Sequence, residues 1–147
     1  MPEFRFHCPI EIRYGDLDPQ GHVNNARYLT YMEQARIAYL RNLGFWHEGQ
    51  SFLDIGVILA EAQVTFLTPI QFHQKIRIGV CISRLGNKSI RMEYRLEEIG
   101  SGMALATGST VLVAYDYHTH QTVPIPDEWR KKIDAFETLE ENHGRNT

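Results

Sequence analysis

The stretch NNARYLTYMEQARIAYLRNLG, residues 24–44, predicts one long helix over about residues 26–43. Its apolar side chains recur three and four positions apart, which places them on one helical face: Tyr28, Met32, Ala35, Tyr39 and Leu43. Three further residues widen that face, so we expect a helix covered on several sides: Leu29, Ile37 and Leu40. Asn24 or Asn25 can cap the first turn, and Gly44 can end the helix in a left-handed conformation.

Alternation of apolar and polar side chains predicts five strands around this helix. One strand precedes the helix and four follow it, over residues 4–13, 60–67, 75–82, 90–97 and 105–115. Gly86-Asn87 and Gly100-Ser101-Gly102 predict hairpin turns, because these residue types tolerate positive φ. A short second helix is expected at about residues 127–136. The predicted class is α+β, a five-stranded antiparallel sheet that curls around one long helix.

The composition is that of one globular domain. The chain has 147 residues, of which 43% are hydrophobic and 22% charged, and we expect a domain over residues 1–137 with a polar tail over 138–147. A net charge of −3 favours neither nucleic acid nor an anionic membrane as a partner. Two cysteines are too few for a disulfide framework. The sequence also shows neither a signal segment nor a membrane span, so we expect a reduced, cytoplasmic location.

The segment DLDPQGHVNN, residues 16–25, carries the chemical signal and lies between the first strand and the helix. Pro19 biases Asp18 toward extended backbone. The helix that follows begins with unpaired N–H groups at the positive end of its dipole. A carboxylate beside such amides can attack a carbonyl or activate a water, while the amides hold a developing oxyanion.

Other interpretations of this D-x-D-x-x-G pattern fit less well. A calcium loop that starts at Asp16 needs a bidentate glutamate at its twelfth position, which is Arg27. A phosphotransfer motif needs a different residue at Gln20. A turn with a helix cap explains each residue singly, but the whole string, with His22 and both asparagines, favours a chemical role.

The string YGDLDPQGHVNNARYLTYMEQAR, residues 14–36, closely resembles the opening of single-hotdog acyl-CoA thioesterases of the 4-hydroxybenzoyl-CoA thioesterase type. The resemblance continues through the Glu61 strand, FLTPI, LGNKSIRMEY and the final strand, and covers roughly residues 5–117. It implies a hotdog fold and a homodimer or homotetramer. It also implies hydrolysis of an acyl-CoA substrate to a carboxylic acid and free CoA, with no cofactor.

The resemblance implies that Asp18 is the catalytic aspartate, as nucleophile or general base. Plant acyl-ACP thioesterases have a similar stretch, in which the residues that match Asp18 and His22 are implicated in catalysis. Their pattern has asparagine where this chain has Gln20, and they contain two hotdogs, so a full site here would need a second chain. We expect backbone amides around Asn25 to polarise the carbonyl, His22 to orient a reactant or cap the loop, and Asp16 to bond within the loop.

Substrate contacts are expected elsewhere. Glu61 either reaches a partner's active site or is an ordinary exposed strand carboxylate. Arg84, Lys88 and Arg91 flank a hairpin where family members often place a basic residue and a serine, here Lys88 and Ser89, so these residues either bind CoA phosphates or are solvated. The histidines show no third ligand at a recognisable spacing, so we expect no metal site. An acyl-ACP thioesterase and a non-catalytic ligand-binding hotdog protein remain alternatives.

Overall fold

The computed structural model describes residues 2–46 and 55–139. The predicted tail therefore lies outside the described residues from 140 onward. A short 3-10 turn, Tyr14–Asp16, follows the first strand. The strands and helices are, in chain order, β1 Phe6–Ile10, α1 Asn25–Asn42, β2 Ile55–Phe66, β3 Ile76–Leu85, β4 Ser89–Glu98, β5 Ala104–Asp116, β6 Gln121–Thr122 and α2 Asp127–Glu137.

The strands form one antiparallel sheet in the order β1-β3-β4-β5-β2, with β6 beside β5. The α+β class and the five main strands are therefore as predicted. The prediction of a five-stranded sheet was wrong in one respect, because β6 adds a sixth strand. A strand of two residues is too short to show any alternation of apolar and polar side chains.

Helix α1 packs one face against the sheet. Its buried residues are Tyr28, Tyr31, Met32, Ala35, Arg36, Tyr39 and Leu40. The prediction that Leu29 widens the covered face was wrong for this chain, since Leu29 is 44% exposed. The sheet covers only one side of the helix.

No helix in the described ranges is long and apolar enough to cross a membrane.

Close approach of α1 to the sheet requires a glycine in β5. A Cβ atom added to Gly108 would lie 2.8 Å from Cε of Met32 and 3.0 Å from the carbonyl oxygen of Gln63. Met32 is fully buried, so a larger residue at position 108 has no free space to enter. The absence of a side chain at position 108 thus makes room for the Met32 side chain of α1.

Both ends of α1 carry the expected caps. The Asn24 side chain accepts a hydrogen bond from the Ala26 amide at 2.9 Å, so Asn24 is the N-cap. At the other end Gly44 has φ +94°, and the Phe45 amide donates to the Leu40 carbonyl at 3.0 Å. This is the Schellman arrangement that a glycine at this position favours.

The two predicted hairpins are present but differ in backbone conformation. Gly100 and Gly102 have φ of +99° and +71°, as expected. Gly86 and Asn87 do not have positive φ, so the reason given for that turn was wrong. The Gly86 amide instead closes the turn by donating to the Ser89 carbonyl at 2.7 Å.

Candidate active site

The segment between β1 and α1, residues 14–24, is called the Asp18 loop below. It reverses direction at Asp18, whose carbonyl accepts a hydrogen bond from the Gly21 amide at 3.0 Å. The Asp18 amide donates to the His22 carbonyl at 2.7 Å. Gly21 has φ +81°, a conformation that glycine adopts without strain. The chain therefore returns to the start of α1 within a few residues.

The carboxylate of Asp18 is held at one oxygen. Its Oδ1 accepts hydrogen bonds from the amides of Gln20 at 2.9 Å and His22 at 3.1 Å. Among the described residues no donor bonds to Oδ2. The side chain is half-buried, so the carboxylate is fixed in orientation while one oxygen remains available for chemistry.

Asp16 has a different environment from Asp18. Its Oδ2 accepts hydrogen bonds from the Tyr31 hydroxyl at 2.6 Å and the Arg13 amide at 3.0 Å, and its Oδ1 lies 3.6 Å from Nε of Arg27. Burial opposes ionisation of Asp16, but these hydrogen bonds and cations outweigh it and lower the pKa of this carboxyl. The expectation that Asp16 bonds within the loop holds for its carbonyl, which accepts from the Asn24 amide, but its side chain bonds Arg13, just before the loop, and two residues of α1. Asp16 therefore anchors the loop to α1.

A second anchor holds the far side of the Asp18 loop. His22 pairs through its backbone with Gln71, and the Val23 amide donates to the Ile70 carbonyl at 2.8 Å. The Asn24 amide donates to the Asp16 carbonyl at 2.8 Å. The sequence showed the segment after β2 only as a break between strands. Because this pairing is between main-chain atoms, the residue types in the sequence do not indicate it.

A cleft of about 350 Å³ opens beside Asp18. It brings together the three predicted catalytic residues, Asp18, His22 and Asn25. Gln20 and Thr68 add polar surface, and the remaining wall is apolar or aromatic: Val23, Tyr28, Phe66, Leu67 and Pro69. The cleft thus combines a carboxylate and polar groups with an apolar and aromatic wall.

The first turn of α1 leaves one amide without a partner. The Ala26 amide is bonded to the Asn24 side chain, and the Arg27 amide donates to the Asn24 carbonyl at 2.9 Å. For the Asn25 amide no acceptor exists among the described residues, and Asn25 lines the cleft. An unpaired N–H at a helix N-terminus is suited to bind a carbonyl oxygen that gains negative charge.

Glu61 does not join this group. It is exposed on β2, opposite Val111 and beside an irregularity in the pairing between Leu59 and Glu61. It does not line the cleft at Asp18. Within one chain the structure therefore leaves Glu61 apart from the catalytic carboxylate.

The predicted CoA-binding residues lie at the opposite end of β3 from the cleft. Arg84, Lys88 and Ser89 flank the β3–β4 turn, whereas the segment that pairs with His22 precedes β3. Ten residues of strand span about 30 Å. One chain therefore does not bring these residues to its own Asp18.

The β3–β4 turn is nevertheless rigidly held. Buried Arg130 of α2 donates to the carbonyls of Gly86 and Asn87, the latter at 3.1 Å. Nζ of Lys88 donates to Thr122 Oγ1 at 3.2 Å. Sequence reasoning missed this support from the C-terminal helix, because a single arginine in a polar helix gives no sign of its distant partner.

Like charges meet beside this turn. Arg84 lies directly across the strands from Arg91. In the described parts of the chain, no cluster of three or more histidine, cysteine or acidic side chains is arranged to hold a metal ion.

Comparison with known proteins identifies the family to which the chain is similar. Residues 12–133 match the profile of the thioesterase-like superfamily. A solved thioesterase from Thermus thermophilus, complexed with coenzyme A and Zn, is 34% identical with a TM-score of 0.80, over 95% of this chain and 100% of that one.

Curated relatives have related names. The long-chain acyl-CoA thioesterase FadM of Escherichia coli (strain K12) is 25% identical over 127 residues, which is 86% of this chain and 96% of FadM. A 1,4-dihydroxy-2-naphthoyl-CoA hydrolase of Thermosynechococcus vestitus is 30% identical over 79% of this chain and 80% of its own. The chloroplastic acyl-acyl carrier protein thioesterase ATL3 of Arabidopsis thaliana is 24% identical over 92% of this chain and 70% of its own.

Proposed function

Because the chain belongs to the thioesterase-like superfamily, we propose that it hydrolyses acyl-CoA thioesters with Asp18 as the catalytic carboxylate. At the level of enzyme class the chain is an acyl-CoA thioesterase, as the family match and the similar thioesterases show. Its long helix and antiparallel sheet form the hotdog fold that the resemblance implied. The residue roles that follow are proposals.

One observation carries the mechanism. Within the described parts of the chain, Oδ2 of Asp18 has no donor and the Asn25 amide has no acceptor, and both residues line the same cleft. The Asn25 amide binds the thioester carbonyl oxygen and stabilises the negative charge that develops on it. Asp18 Oδ2 then either attacks the carbonyl carbon or takes a proton from a water that attacks it. A C–O bond forms, the C–S bond breaks, and CoA leaves as the thiolate. If Asp18 is the nucleophile, water then cleaves the acyl–aspartyl anhydride, which releases the carboxylic acid and restores the Asp18 carboxylate. If Asp18 is the general base, the attacking water becomes part of the carboxylic acid and the proton on Asp18 passes to the thiolate.

The two amides on Oδ1 support both roles of Asp18. They hold the carboxylate in one orientation, so little reorganisation is needed when the substrate binds. His22 contributes one of these amides through its backbone, and its side chain lines the cleft. We assign to that side chain the orientation of the attacking water or of the carboxylate.

The active assembly is proposed to contain at least two copies of the chain, as a homodimer or homotetramer. Strand β2 is twelve residues long, ends the sheet order, and exposes Leu59 on its surface. A long, partly apolar edge strand is a template for pairing with another chain. A second copy would also bring a β3–β4 turn, with Arg84, Lys88 and Ser89, to an Asp18 from which the length of β3 separates it within one chain. Sedimentation of the purified protein tests this, and a monomer that is fully active would contradict it.

The activity is tested by thiol release from short, medium, long and aromatic acyl-CoAs. Turnover of at least one member is expected. The similarity to a plant acyl carrier protein thioesterase makes acyl-ACP the second substrate to test, with the same acyl groups. If the protein hydrolyses acyl-ACP but no acyl-CoA, its substrate is carried by the carrier protein and not by CoA. If it hydrolyses neither kind of thioester, the result would favour a ligand-binding protein.

A further inference from the structure

We propose that the acyl group of the substrate is uncharged and apolar, and that Phe66 limits its size. This inference rests on the proposed function, since it places an acyl thioester in the cleft at Asp18. The acyl group is proposed to lie against the apolar and aromatic wall of that cleft.

An aromatic pair forms that wall. The rings of Tyr28 and Phe66 meet edge to face, with centroids 4.8 Å apart and planes at 82°. Both residues line the cleft, together with Val23, Leu67 and Pro69. With the thioester carbonyl at the Asn25 amide, an acyl group that stays within the cleft lies against this apolar surface.

The charge of the cleft selects against acidic acyl groups. Among the described residues that line it there is one carboxylate side chain, Asp18, and no lysine or arginine. A terminal carboxylate on the acyl group would lose water to the apolar residues of the wall, none of which offers it a cation, and the Asp18 carboxylate would repel it. A neutral acyl chain or ring has no charge to desolvate, and the Asp18 carboxylate does not repel it.

Phe66 is better placed than Tyr28 to set the size limit. Tyr28 is 2% exposed, so its ring is fixed within the core. Phe66 is the last residue of β2 and is 49% exposed. Because Phe66 lines the cleft and is about half exposed, its truncation should enlarge the cleft at small cost to the core.

The experiment compares kcat/KM for straight-chain acyl-CoAs of increasing length in the wild type, Phe66→Ala and Phe66→Leu. The matched control is Phe72→Ala, because Phe72 is 50% exposed and also in an edge-to-face pair, with Tyr14, but does not line the cleft. We expect Phe66→Ala to raise the long-to-short ratio of kcat/KM about tenfold or more. Phe66→Leu should give a smaller shift, and Phe72→Ala should leave the ratio within about twofold of the wild type.

A second comparison tests the charge. In the wild type, an acyl-CoA that ends in a carboxylate should have a kcat/KM at least about tenfold below that of the neutral acyl-CoA of equal length. Equal values for the two, an unchanged ratio in Phe66→Ala, or the same shift in Phe72→Ala would overturn the proposal.

Failure of the proposed function would look different, because the wild type would then release no thiol from any substrate. In that case the dissociation constants of non-hydrolysable acyl-CoA thioethers of the same lengths are measured by calorimetry. A length dependence that Phe66→Ala relieves supports the acyl wall, and a dependence that it leaves unchanged refutes it.

Discussion

Removal of the Tyr31 hydroxyl should release the Asp18 loop from α1. Tyr31→Phe deletes the donor that lies 2.6 Å from Oδ2 of Asp16 and leaves the ring in place. Tyr31 is buried and the Asp16 side chain is 12% exposed, so water replaces the lost bond poorly. A hydrogen bond to a charged group contributes about 1.5–3 kcal/mol. We therefore expect a loss of about 2 kcal/mol of unfolding free energy, or about 4–8 °C in Tm for a chain of this size.

The loss of unfolding free energy in Tyr31→Phe should become smaller at low pH. The pKa of Asp16 is lowered in the folded protein, so its ionised form contributes stability above the unfolded value of about 3.9. That contribution disappears as the pH falls through the lowered pKa. The difference between wild type and Tyr31→Phe should be constant from pH 7 to about pH 5 and should shrink below about pH 4.

Urea unfolding at several pH values measures both effects, with Tyr14→Phe as the matched control. Tyr14 is 82% exposed, so loss of its hydroxyl should change the unfolding free energy by less than about 0.5 kcal/mol. If Tyr31→Phe matched Tyr14→Phe at pH 7, the Asp16–Tyr31 bond would not be an anchor of the loop.

Three further results are expected. Gly108→Ala should lower the unfolding free energy by about 1–3 kcal/mol, because the added methyl would meet Met32; unchanged denaturant unfolding would contradict this. Burial, with two nearby carboxylates, raises the pKa of the Cys81 thiol to about 12. Alkylation of Cys81 at pH 8, followed by mass spectrometry, should therefore be about a thousandfold slower in the folded than in the unfolded protein, and comparable rates would refute it. Lys88→Ala should raise KM for acyl-CoA about threefold to tenfold with kcat unchanged, and steady-state kinetics with an unaltered KM would remove Lys88 from the CoA site.

Much of the fold could be predicted because its signals are local. The stripe of Tyr28, Met32 and Ala35 defines the buried face of α1, and residue alternation defines the main strands. Gly44 and Asn24 mark the helix ends by their own conformational preferences. Strand β6 escaped prediction because its pairing with β5 depends on a neighbour and not on its own two residues.

Some features of the candidate site could likewise be predicted from local sequence, and others could not. Asp18, His22 and Asn25 are close in sequence, so their convergence at one cleft follows from a single turn. The bond from Tyr31 to Asp16 and the support of the β3–β4 turn by Arg130 join distant segments, and their partners depend on how the helices pack. The separation of the turn from the cleft depends on strand length and topology, which residue types alone do not reveal.

The central claim is that the Asp18 carboxylate is the catalytic group, and Asp18→Asn tests it most directly. Asparagine keeps an oxygen to accept the amides of Gln20 and His22 but removes the charge and basicity of Oδ2. With the acyl-CoA that the wild type hydrolyses fastest, kcat should fall at least about a hundredfold, while thermal unfolding stays close to that of the wild type. A kcat within about threefold of the wild type in the folded variant would contradict the account.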